Sequence, residues 1–194
     1  MYLLAHAMVG VLIGVAIAAI VGDRRIIALA ALGAVLPDLI DKPLGHIILA
    51  GTVGYGRIYF HGITVLVLIL IAGLLLYHYR GSIGFFVVAA GMASHQFFDG
   101  MWRHPVEWFW PFLGPLLRHD YPEDFLWGAI LQELAQPSEW LFLLLIAALF
   151  AYLYREELRT LPARLESPAA RRALVAALGL AILATLAVGG RLLL

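Results

Sequence analysis

Leu3–Val21, LLAHAMVGVLIGVAIAAIV, contains no Asp, Glu, Lys or Arg. An apolar run of about 20 residues is what a helix needs to cross the hydrocarbon core of a bilayer. Backbone amides in that core must be paired within the protein, so lipid-facing segments can only be helices or closed barrels. Comparable apolar runs recur at residues 26–40, 60–79, 82–102, 138–154 and 173–188. Together they predict an all-α, polytopic transmembrane helical bundle of about six spans. Composition agrees, with 13% charged residues where soluble domains carry roughly 25%. The first run begins almost at Met1 with no basic segment ahead of it, which reads as an uncleaved first helix rather than a signal peptide. There are no cysteines, so disulfides and thiolate metal sites are excluded. Net charge is zero, which gives no footprint for a nucleic-acid partner. Nothing in the pattern sets an oligomeric state.

The connections are punctuated. Pro37 and Pro43 are expected to end the second span. Residues 44–50 are apolar but too short to cross, so they read as re-entrant or interfacial. Residues 125–135 read as a helix lying at the interface. Orientation follows from Lys and Arg in the short loops. Arg24, Arg25, Arg80 and five arginines of segment 155–172 fall on one side, eight against five for the other. The larger set belongs in the cytoplasm. The expected localisation is therefore a multi-pass protein of the cell membrane with both termini outside, and all five tryptophans fall at that outer interface.

Histidines and aspartates gather on the same side. His6 lies one turn into the first span, Asp38 and Asp41 close the second, His61 opens the third, and His95 and Asp99 end the fourth. Residues four apart share a helix face, so His95 and Asp99 can bind one ion or two adjacent ones. Ionisable groups in a bilayer cost about 2.5–3.5 kcal/mol each on insertion scales, and they persist when they pair or bind an ion. Imidazole with carboxylate suits zinc best, with manganese or iron also possible, and two or three divalent ions are expected. Such ions lower the pKa of water to about 7, ready for attack on a phosphoryl or acyl centre. Arg57 is placed to hold an anionic substrate oxygen, and Asp41 is either a ligand or a general base. His46 reads as interfacial, and Glu107, Glu133 and Glu139 are expected to face solvent or headgroups. His78 is the one histidine on the inner side; a metal transporter or other non-enzymatic metal-binding protein would need polar residues through the full depth.

At AHAMVGVLIG, GAVLPDLID, RIYFHG and GMASHQFFDG the chain resembles the YdjM-type family of membrane-bound metal-dependent hydrolases, over residues 3–113. The resemblance implies metal ligands at His6, Asp38, His61, His95 and Asp99. Such proteins often carry a histidine directly before the arginine, where this chain has Gly56. A more distant likeness is to zinc-dependent phospholipase C and the single-strand nucleases, which order their ligands His, Asp, His, then His, Asp, His, then His, Glu. The corresponding series here is His6, Asp38, His61, then His95, Asp99, His104, then His119 and Glu123, which adds His104 to the metal set. No HExxH or GxSxG occurs, which disfavours metalloprotease and serine-hydrolase chemistry. The expectation is a single integral membrane domain over residues 1–194. Its metal-site half is 1–123, with additional helices over 124–194. Its expected activity is hydrolysis of a phospholipid or lipid-linked phosphate at the outer interface, with Asp41 and Arg57 catalytic.

Overall fold

The computed structural model describes residues 2–122 and 125–165, with 168, 169, 172 and 176 besides. Among these residues the fold is helical and has no strand. The α-helices are α1 (Leu3–Val21), α2 (Arg25–Pro43), α3 (Ile63–Arg80), α4 (Gly84–Phe98), a short α5 (Pro105–Trp108), α6 (Phe125–Leu134), α7 (Pro137–Leu153) and α8 (Arg155–Leu165). The chain forms two compact units, Met1–Ile146 and Ala147–Leu194. Within the second, α8 carries ion pairs from Arg155 and Arg159 to Glu156.

In the first unit α2 packs against both α1 and α4, which also touch each other. Small residues make this possible. A Cβ added at Gly91 would lie 2.3 Å from the Ala30 carbonyl oxygen, and one at Gly10 would lie 2.6 Å from the Ala34 Cβ. Backbones that touch in this way are typical of helices packed in a bilayer, where small residues let dispersion and polar contacts replace the hydrophobic drive. The close approach brings His6, Asp38 and His95 to one level.

Among the described residues two helices, α1 and α3, are long and apolar enough to cross a membrane. A third crossing arises if Trp127–Leu134 and Pro137–Leu153, bent by 66° at their junction, form one span. The other expected spans differ for physical reasons. α4 has 15 residues, about 22 Å at 1.5 Å per residue. α2 carries Arg25, Asp38, Asp41 and Lys42. The expected sixth span, 173–188, lies outside the described residues except for residue 176.

Pro37 does not end α2, contrary to expectation; the helix runs through it to Pro43. Proline forfeits one ladder bond, but packing of α2 against α1 and α4 outweighs that loss. A π-helical turn, Leu44–Ile48, then extends it. At the other expected limit, α4 stops at Phe98 because Gly100 takes a left-handed conformation, φ 66°, which glycine adopts without steric penalty.

Candidate metal centre

The loop ahead of α3 is built around Asp41. Its carboxylate, fully buried, accepts four hydrogen bonds: from the backbone N–H of Ile58 at 3.1 Å, of Phe60 at 3.1 Å and of His61 at 3.0 Å, and from His61 Nδ1 at 2.8 Å. Gln96, on α4, holds the same loop by donating to the carbonyls of Phe60 and Gly62, and accepts from Trp108 Nε1. These contacts fix the His61 ring with its Nδ1 proton on Asp41 and its Nε2 lone pair turned inward.

His95 is fixed the same way. Its Nδ1–H donates to the Ala34 carbonyl at 2.7 Å, using the second lone pair of a carbonyl inside α2. Its Nε2 then faces His61 Nε2 at 3.1 Å. Two imidazole nitrogens at that distance are held either by a shared proton or by a metal ion that both face. Carboxylates complete the enclosure. Asp38 Oδ1 lies 3.6 Å from His61 Nε2 and 3.8 Å from His95 Nε2, and Asp99 Oδ2 lies 3.9 Å from each. A tetrahedral zinc with ligand bonds of 2.0–2.1 Å has ligand–ligand edges of about 3.3–3.4 Å. The separations bracket that value, so the donor set fits a first-row divalent ion. His6, Asp38 and His95 form a second, overlapping group whose ligand atoms lie within 4.8 Å of one another. His6 stacks on His95 with ring centroids 3.8 Å apart, and its Nε2 lies 3.0 Å from Asp99 Oδ1.

Two cations attend the carboxylates. Lys42 Nζ donates to Asp38 Oδ2 at 2.7 Å, and Arg57 Nε lies 3.2 Å from Asp99 Oδ2. Both line a cavity of about 340 Å³ that opens beside Asp38 and Asp99 and is walled by Tyr55, Tyr121 and α6 residues including Ile130 and Glu133. His46 also faces it. Burial, helped by the Lys42 charge, pushes the His46 imidazole below its usual range, and burial pushes the Tyr55 phenol up. At neutral pH the positive charge of the cavity therefore comes from Lys42 and Arg57.

The structure thus brings His6, Asp38, His61, His95 and Asp99 together, with Asp41 one layer behind and Arg57 at the rim. It does not bring His104 in. The turn at Gly100 and the 3₁₀ turn Met101–Arg103 carry His104 away from the α4 face, and its Nε2 lies 3.4 Å from Arg57 Nη1. His119 also stands apart, 4.0 Å from Glu107 Oε1; Glu123 lies outside the described residues. The acidic residues expected to face solvent or headgroups are placed differently. Glu107 and Glu139 are buried. Glu133 and Glu139 accept from the backbone N–H groups of Leu3 and Leu4, at 2.6 and 2.8 Å, where the positive end of α1 favours a carboxylate. Lys42, Gln96 and Trp108 are site residues that the sequence reading missed. Only Lys42 had a local signal, its position four residues after Asp38.

Searches of curated proteins and of solved structures found no match. The model of the YdjM inner membrane protein family matches residues 1–190, so the chain belongs to that family.

Proposed function

We propose that this protein is a membrane-embedded, metal-dependent hydrolase, a phosphoesterase acting on a phospholipid or lipid-linked phosphate at the non-cytoplasmic interface. The observation that carries the reading is the pair of Nε2 atoms of His61 and His95, 3.1 Å apart beside Asp38 and Asp99 and next to a cavity lined by Lys42 and Arg57. His61, His95, Asp38 and Asp99 would hold one ion; His95 has one free ring nitrogen, so a second ion would draw on His6 with carboxylate oxygens of Asp38 and Asp99. When bound, divalent ions supply Lewis acidity and bring the pKa of water near to neutrality.

The chain's own groups do the rest. Asp41 and the Ala34 carbonyl set the two imidazole tautomers, as partners of metal-ligating histidines commonly do. With all four of its hydrogen bonds engaged, Asp41 fits a positioning role better than that of a base. Lys42 and Arg57 neutralise Asp38 and Asp99 in the structure; once those carboxylates face an ion, the two cations are placed to hold phosphate oxygens, Arg57 by its planar fork of donors. His104 steadies Arg57. The surrounding topology in this proposal is multi-pass, about six spans, with the site and both termini outside.

The test is release of phosphate from lipid phosphates in mixed micelles by protein loaded with zinc or manganese. Wild type is expected to turn over, and Asp99→Ala to lose activity while keeping its expression level and elution profile. Full activity in Asp99→Ala would refute the reading. Metal binding without turnover of any phosphoester would leave a metal-binding membrane protein instead.

A further inference from the structure

A second cavity, about 380 Å³, adjoins the first. Ile130 and Glu133 line both. Beyond them the walls turn apolar, with Leu134, Trp140 and Leu143, all of them partly open to the exterior of the bundle. Of the two carboxylates on the α1 N-terminus, Glu133 lines both chambers and Glu139 the apolar one. One of their oxygens is unusual: Glu139 Oε1 is buried and has no hydrogen-bond partner among the described residues, in a residue only 3% exposed. A buried acceptor left unpaired is unfavourable, so it calls for a donor.

We propose that the apolar chamber binds the hydrocarbon chain of the substrate, and that a hydroxyl or amide N–H between chain and phosphate donates to Glu139 Oε1. The inference rests on the phosphoesterase reading for where the phosphate sits, against Lys42 and Arg57. It makes the substrate class a lipid phosphate with a hydrogen-bond donor in the linker. The shared wall supports this occupant: a phosphate held beside Lys42 and Arg57 leaves its tail no farther to travel than past Ile130. Glu133, facing both chambers, keeps the junction polar.

The probe is a long-chain 2-hydroxyalkylphosphonate with a mid-chain diazirine, a non-hydrolysable stand-in for the phosphate ester. Full-length, metal-loaded protein in phosphatidylcholine nanodiscs is irradiated with it and the label is mapped. Label is expected on Leu134, Trp140 or Leu143. Excess unlabelled 2-hydroxyalkylphosphonate should remove it, and the same chain lacking the hydroxyl should compete about tenfold less well. Leu143→Trp fills the chamber at a partly exposed position and should abolish labelling with metal content unchanged; Leu134→Trp is the second such variant. Label confined to the lipid-facing Leu68 and Leu74 of α3, label that no competitor displaces, equal competition with and without the hydroxyl, or no label at all would overturn the proposal. The two readings fail separately: specific labelling without any turnover refutes the phosphoesterase and leaves the chain site standing, whereas turnover with non-specific labelling does the reverse.

Discussion

Asp41→Asn separates a positioning carboxylate from a catalytic base, and the structure sets its size. Oδ2 accepts from Ile58 N–H, His61 N–H and His61 Nδ1, while Oδ1 accepts from Phe60 N–H alone. The amide is nearly the same shape but has one carbonyl. If that oxygen takes the Oδ2 place, the new NH₂ meets Phe60 N–H, donor against donor, and one buried donor is stranded at about 1–3 kcal/mol. If the amide is reversed, its NH₂ faces His61 Nδ1, which must then accept; the ring proton moves to Nε2 and the ligand lone pair is lost. Losing an outer partner of a ligating histidine typically costs 10–100-fold in metal affinity, about 1.4–2.8 kcal/mol at 1.4 kcal/mol per tenfold. The assay is competition with a chromophoric zinc chelator in detergent, wild type against variant, with thermal unfolding measured alongside. Affinity reduced by one to two orders of magnitude and a lowered midpoint are expected. Wild-type affinity combined with abolished turnover would refute the reasoning and return Asp41 to the role of base.

Other expectations follow from the same geometry. Gly91→Ala puts a Cβ 2.3 Å from the Ala30 oxygen, so α2 and α4 must separate; overpacking of this kind costs about 1–3 kcal/mol, read as a lower melting temperature. Lys42→Met removes a cation without touching the histidines, and should raise KM for anionic substrate more than it lowers kcat. Glu133→Ala removes the acceptor for Leu3 N–H, and should destabilise by about 0.5–2 kcal/mol, as loss of a helix cap does, seen as faster hydrogen exchange at the start of α1.

How much of this was legible depended on distance along the chain. The i, i+4 spacing of His95 and Asp99 placed both on one α4 face before any contact was known. Asp38 and Asp41 were equally visible, but which of them meets the histidines directly depends on where the loop at Ile58–His61 returns, and that loop is seventeen or more residues away. His104 follows the expected order of ligand types, yet a single left-handed glycine at position 100 removes it from the helix face. Glu133 and Glu139 read as headgroup-facing because their partners are the amides of Leu3 and Leu4, 130 and 135 residues earlier; no local pattern carries that. Pro37 misled for a related reason: the local cost of proline is real, but the packing of α2 against α1 and α4 decides.

The central claim is that His61, His95, Asp38 and Asp99 form a metal centre. Elemental mass spectrometry of detergent-purified wild type beside the His61→Ala/His95→Ala double variant tests it most directly. The account predicts stoichiometric zinc or manganese in the wild type, retained through gel filtration and lost in the variant. A wild type that holds no divalent metal even after reconstitution, or a variant that holds as much, would contradict it and leave the four residues as a buried hydrogen-bonded cluster.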